Sequence, residues 1–412
     1  MNRQNPLAFG YIPLASAISD IKTMQAIRQD FSASLEAIDG HEVEAEQADG
    51  STPLILLILS GGTEALIAGL LARRNPEFAR EPVLLIAHPG NNSLAAALEA
   101  LAFIRQRHFK GEIIFFKDGA DSQARDILNV RVCDLFVHRA LQLATIGLIG
   151  EPSEWLVAST FDDAVFKTRW GITITRFALD AVFGGLTDAQ PEAAFHGISG
   201  FDTSALPFRS AYRVFDRLQR LVAREQLDGL SVECFTLFQR YNTHGCFALS
   251  RLNDKGIIAG CEGDLVSTAT MLWLKFLLDE AAWMANPVEI DALKKGLWLA
   301  HCTVPTTLVT QYAEATHFET GCGVAIAGVF ALGPVTLVRV GGADLDRLWV
   351  ADAELIDTGS SPHRCRTQAL IRFEEASPLD ELLLHPLGNH MVLVRGHHAA
   401  RIQGWWKMFI AP

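Results

Sequence analysis

The sequence predicts an α/β protein of several domains: two doubly wound parallel-sheet domains followed by a β-rich, barrel-like C-terminal domain. Three observations predict it. A chain of 412 residues exceeds what one core ordinarily supports, since domains run roughly 100 to 200 residues each. Short continuous apolar runs alternate with helical stretches from about residue 53 onward, the pattern of parallel strands buried on both faces. Beyond about residue 300 the runs become short and β-type, spaced by Gly and Pro, as in an antiparallel barrel or sandwich. The domains are expected at 1–148, 149–296 and 297–412.

The elements follow in order. Pro53 to Ser60, Pro82 to His88, Glu112 to Phe116 and Thr145 to Ile149 are apolar strands, with helices between them, one of them starting near Ser93. Ser60-Gly-Gly-Thr-Glu64 and Gly90-Asn-Asn-Ser93 sit where strands end and helices begin. An open α/β sheet meets ligands or neighbouring subunits there, although a tight turn with a helix cap explains Gly, Asn and Ser equally well. Thr145 to Ser159 leads into a second α/β layer, in which Leu230 to Phe235 and Gly256 to Gly260 read as buried strands and Leu265 to Leu278 as an amphipathic helix. The C-terminal runs are Gly323 to Phe330, Val335 to Val340, Leu348 to Asp352, Gln368 to Phe373 and His390 to Arg395.

Composition narrows the function classes. Hydrophobic residues make up 49% and charged residues 20%, values of an ordinary globular enzyme. The net charge of -12 comes without a long basic run, which argues against nucleic acid and against a polybasic membrane patch. Seven cysteines, at 133, 234, 246, 261, 302, 322 and 365, form no CxxC pair and read as thiols of a reducing compartment. Met1 to Asp20 lacks a signal-peptide pattern, and runs such as Leu54 to Leu59 fall far short of the ~20 residues of a membrane helix. A cytoplasmic location is expected.

Candidate chemistry clusters at strand ends. Glu262 and Asp264 follow the strand Gly256–Gly260 and precede a helix, placing two carboxylates where α/β sheets bind ligands; one of them also makes sense as a capping acid. His390 opens an apolar strand as a metal ligand or as a core histidine bonded to a carbonyl. Asn286, in Trp283 to Asp291, offers an oxygen ligand or belongs to an ordinary Asn-Pro turn, and Glu289 and Asp291 offer carboxylates. His301-Cys302 ends another strand, yet no third group orients Cys302 as a nucleophile, and buried Cys is usually inert. Trp170, Arg240, His301 and Asn389 are candidate substrate-binding residues, each with a structural reading beside it.

The segments SGGTE (60–64), NNSLAAALEA (91–100), IGLIGEPSEWLVAS (146–159), GCEGDLVSTATML (260–272), LAHCTVP (299–305) and LGNHMVLVRG (387–396) together resemble the L-fucose isomerase and L-arabinose isomerase group, especially its shorter fucose isomerase-like members. The likeness runs through nearly the whole chain. It implies two α/β domains and a β-rich third, a trimer or hexamer in which a neighbouring subunit helps close each site, and Mn2+ or another divalent ion such as Mg2+ or Co2+ held between the second and third domains. Carried over, Glu262 binds metal and moves protons, and His390 is a metal ligand. The family's second acid corresponds to Asn286, which can ligate a hard cation but cannot shuttle a proton.

The resemblance therefore implies a metal-dependent aldose–ketose isomerase working through a cis-enediol on a sugar or sugar derivative. One base must lift a carbon-bound proton and an acid must return it. Glu262 is the candidate base, and the role that Asn286 cannot fill falls to Asp264 or a bound water. Two other classes stay open: a related epimerase or aldolase-type lyase on a modified sugar, and a sugar-binding member without catalysis.

Overall fold

The computed structural model describes residues 8–45, 53–74, 81–186 and 206–411; the signal-peptide reading of Met1 to Asp20 falls partly on residues 1–7, outside them. The chain divides into two compact units, residues 1–139 and 140–412.

In the first unit β1 (Phe9–Leu14), α1 (Ile21–Glu36), β2 (Gly40–Glu42), β3 (Ile55–Ile58), α2 (Glu64–Ala72), β4 (Val83–Ala87), α3 (Ser93–Gln106), β5 (Gly111–Phe115) and α4 (Ser122–Leu143) follow one another. The sheet has the order β2-β1-β3-β4-β5 with every pairing parallel. β3 and β4 are buried along their whole length, which is why their sequences are continuous apolar runs. Sequence patterning missed β1, because Gly10 and Pro13 interrupt its apolar run and both residues are depleted in strand interiors. The two strand-end motifs are internally bonded: Ser60 Oγ accepts from Ser16 N at 2.9 Å, and Ser93 Oγ donates to Ile58 O at 2.5 Å, with Asn91 and Asn92 left-handed between β4 and α3.

The second unit opens with β6 (Thr145–Ile149), α5 (Asp163–Trp170), β7 (Thr173–Phe177), α6 (Leu179–Phe183), α7 (Leu206–Glu225), β8 (Gly229–Val232), α8 (Cys234–Tyr241), α9 (Cys246–Asp254), β9 (Ile258–Cys261) and α10 (Leu265–Leu278). Its parallel sheet has the order β7-β6-β8-β9. Thr145–Ile149 therefore pairs within this sheet rather than ending the first alternation. The remaining elements are β10 (Ala282–Asp291), β11 (Gly296–His301), β12 (Val309–Ala315), β13 (Ala325–Phe330), β14 (Gly333–Gly341), β15 (Arg347–Thr358), β16 (Thr367–Arg372), α11 (Ser377–Leu384), β17 (Met391–Arg395) and α12 (Ala399–Phe409). Six of these strands close an antiparallel barrel, β10-β11-β16-β15-β14-β17, and β12 and β13 pair separately. The α/β plus barrel architecture expected from the sequence is the one observed.

Two details differ from the expectation. The Asn286-Pro287 step is not a turn but lies inside β10, where a bulge between Pro287 and Glu289 accommodates the missing ladder donor. α10 is not amphipathic: all of Leu265 to Leu274 is buried, because the helix packs against β8 and β9 of the sheet and against β10, β14 and β17 of the barrel. A helix covered on all sides is apolar on all sides. This sandwiched helix brings the carboxyl end of β9 next to the start of β17. Among the described residues no helix is long and apolar enough to cross a membrane.

Candidate functional site

Between β9 and α10 the backbone turns through two left-handed residues, Glu262 (φ 62°) and Gly263 (φ 69°). A non-glycine residue there costs on the order of 1 kcal/mol and persists only where its surroundings enforce it. The surroundings do so: Ser153 N donates to Glu262 O at 2.9 Å and Gly263 N to Val232 O at 3.0 Å. A Cβ on Gly263 would lie 2.6 Å from Glu151 O, so the glycine is required by close approach as well as by φ. Asp264 then caps α10, accepting from Ser267 N at 2.8 Å and Ser267 Oγ at 2.7 Å.

The same carboxylate orients His390. Its Oδ2 lies 2.8 Å from His390 Nδ1, the arrangement in which a carboxylate fixes the tautomer of a ligating imidazole. Arg339, on β14, braces both: it donates to Ser267 Oγ at 3.0 Å and to His390 O at 3.1 Å, and its guanidinium lies 3.7 Å from Asp264. Nε2 of His390 is thereby aimed at Glu262, with 3.7 Å to Oε1, while Trp155 Nε1 donates to Glu262 Oε2 at 2.6 Å. His301, at the end of β11, completes the group. Its Nδ1 is tied to Thr303 Oγ1 at 2.8 Å, which leaves Nε2 as its free ring nitrogen.

Glu262, His301 and His390 each offer a ligand atom within 4.8 Å of the others. His390 Nε2 is buried without a hydrogen-bond partner, a state that costs about 1 to 3 kcal/mol and that a cation relieves. The donor set, one carboxylate and two imidazoles, suits a divalent ion such as Mn2+, Zn2+ or Co2+. The residues therefore fit a metal. Glu262 and His301 line a cavity of about 540 Å3 together with Trp155, Asn286, Glu319 and Asn389, among others, a size ordinary for small-molecule sites.

Electrostatics follows from burial and pairing. Burial alone would raise Asp264, but the hydrogen bond from His390 and the charge of Arg339 outweigh it and hold the carboxyl well below its usual range. Glu262, likewise buried, is lowered by His390 and Trp155. Burial opposes a charge on His390, yet Asp264 and Glu262 push it up to about 9. His301 is pulled down to about 4 by burial and by repulsion from His390.

In the metal-stripped protein the raised His390 contributes stability that is complete below pH 6.5 and lost as pH rises toward 9. The depressed His301 acts oppositely: its contribution is complete above pH 6.5 and is lost as pH falls toward 4, whereas that of Asp264 is complete above its ordinary 3.8 and is lost only below it. Urea unfolding at several pH values should give a maximum near pH 6.5 with losses on the order of a few kcal/mol on either side. A flat profile between pH 4 and 9 would contradict these assignments.

The structure brings Glu262, His390, His301, Asn286 and Asn389 together; Asn389 Nδ2 donates to Asn286 Oδ1 at 2.8 Å. It separates three others. Asp264 is fully buried behind His390 and does not line the cavity, so it positions the imidazole and cannot touch a substrate. Trp170 sits in an aromatic cluster with Trp273, Trp405 and Trp406, because α5, α10 and α12 pack their indoles together. Arg240 is exposed on α8 and pairs with Asp180 at 2.6 Å. Sequence patterning missed Trp155, Ser267 and Arg339. For Arg339 a signal existed, a lone guanidinium in the apolar run Val335 to Val340; buried charge is rare unless paired.

No protein-family model matches the chain. Two curated relatives are sulfoquinovose isomerases, from Priestia aryabhattai and Priestia megaterium, each 22% identical over 274 residues that cover 63% of this chain. The match spans 61% of each relative's length. The chain is thus similar to sugar isomerases over its matched part.

Proposed function

We propose that this protein is a metal-dependent aldose–ketose isomerase acting through a cis-enediol, and that its sugar carries an anionic substituent. The observation that carries the reading is the convergence of Glu262, His301 and His390 on one another at the edge of a cavity that the first two line. Likeness to two sulfoquinovose isomerases supports the reaction class. Arg364 in the cavity lining supports an anionic substituent: one of its donors bonds Glu289, and a guanidinium has further N–H groups for an oxyanion.

Glu262, His301 and His390 would hold the cation, which would supply charge to offset that developing on the sugar oxygens. Glu262, buried at the edge of the cavity and held by Trp155, is the base that lifts the proton from the carbon beside the carbonyl. The amide of Asn286 cannot carry a proton, and Asp264 is walled off. Glu319 is the remaining carboxylate among the lining residues, and we assign it the return of the proton. The reading extends to a cytoplasmic homo-oligomer, trimeric or hexameric, as the family resemblance implies.

The test is to incubate the protein in D2O with Mn2+, Mg2+ or Co2+ and a panel of neutral, phosphorylated and sulfonated sugars, followed by NMR. Aldose–ketose interconversion with deuterium entering the carbon next to the carbonyl supports the proposal. Epimerisation alone, carbon–carbon cleavage, or thermal stabilisation without turnover would each replace it.

A further inference from the structure

We infer that the same cavity holds a second cation site, for a thiophilic divalent ion such as Zn2+, built by His244, Cys246 and His317. None of these residues takes part in the chemistry assigned above. Their ligand atoms lie within 4.8 Å of one another, and the residues are 1%, 2% and 6% exposed. All three contribute to the cavity wall.

A second observation points to a ligand. His244 Nδ1 is buried with no hydrogen-bond partner, although its other nitrogen, Nε2, is held by Thr320 Oγ1 at 2.8 Å. The ring is fixed on both faces, stacked on Phe238 with centroids 4.9 Å apart and on His317 at 4.2 Å. Leaving that nitrogen bare costs about 1 to 3 kcal/mol, which a bound ion would recover. A ligating imidazole has this arrangement: one nitrogen anchored, the other bare.

The thiols favour a soft ion. Cys302 hydrogen-bonds Cys246 and packs with it in a small buried cluster that Cys365 adjoins, so a second thiol lies beside the three-residue group. Two imidazoles with one or two thiolates make a zinc-type set, whereas carboxylate with two imidazoles accepts harder ions. Since Cys302 directly follows His301, the end of β11 lies beside both groups, and the donor chemistry sorts two different ions within one cavity.

The test uses the full-length protein, reduced and freed of metal by a chelator, then titrated with Co2+ and, separately, with Zn2+ in competition with a chromophoric chelator. Two equivalents should bind, one of them giving the near-ultraviolet charge-transfer band of a cobalt thiolate. Cys246→Ser and His244→Gln should each lose that band and one equivalent, while Glu262→Gln keeps the band. X-ray absorption of the zinc-loaded wild type provides a check that needs no variant: a sulfur neighbour at about 2.3 Å is expected. Binding of a single equivalent without a thiolate band, a band that survives in both variants, a zinc shell of nitrogen and oxygen alone, or a Cys246–Cys302 disulfide in thiol-trapped protein overturns the inference. Because the readout is spectroscopic, a protein inactive on every sugar but showing the band refutes the isomerase reading and leaves this site standing.

Discussion

Glu262→Gln is expected to lower sugar turnover by roughly 10^2- to 10^4-fold, the usual contribution of a positioned proton-transfer group. The substitution is nearly isosteric. The amide oxygen can still accept from Trp155 Nε1, which now bonds Glu262 Oε2 at 2.6 Å, so the turn at residues 262 and 263 should survive. What disappears is the negative charge, and with it both the base and part of the attraction for the cation. Steady-state kinetics at saturating metal separates the two: the loss should persist in kcat when metal is raised, and solvent deuterium should no longer enter the recovered sugar. Wild-type kcat in this variant at saturating metal would remove Glu262 from the chemistry and return it to a structural role at the turn.

Arg339→Met is expected to destabilise the second unit by about 3 to 5 kcal/mol, the cost of breaking a buried ion pair from one side. Asp264 has no exposure and would keep its charge with only Ser267 and His390 to compensate it. The carbonyls of Leu387 and His390, now accepting from the guanidinium, would lose their donor as well. Urea unfolding measures the loss. The double variant Arg339→Met, Asp264→Asn should be more stable than the sum of the single effects, since the two groups share one network. A second readout marks the positioning role: with Asp264 no longer braced, His390 is less well oriented, and metal affinity should fall about 10- to 100-fold. A single variant as stable as the wild type and with unchanged metal affinity would show that the bracing is incidental.

Much of the architecture was legible in the residues. Strands such as β3, β4 and β9 announce themselves because a parallel strand buried on both faces must be apolar throughout. The barrel strands show as short runs cut by Gly and Pro. β1 was hidden by Gly10 and Pro13. α10 was misread as amphipathic because the sequence cannot say how many faces a helix will have covered. Of the site, Glu262 and His390 could be picked out from strand-end position and family resemblance, while Trp170 and Arg240 could not be told from core and surface residues of the same type.

Local order is written in the chain itself: hydrophobic period sets strand or helix, and Gly263 and Asp264 favour a turn into a capped helix, since those preferences act between neighbours. Which distant groups share a volume was decided only by the tertiary structure. The buried α10 sets the end of β9 against the start of β17, and barrel closure carries β11 and β14 to the same place. Thus His301 joins Glu262 and His390, Arg339 braces them from behind, and Asp264 turns inward to hold an imidazole instead of facing the cavity.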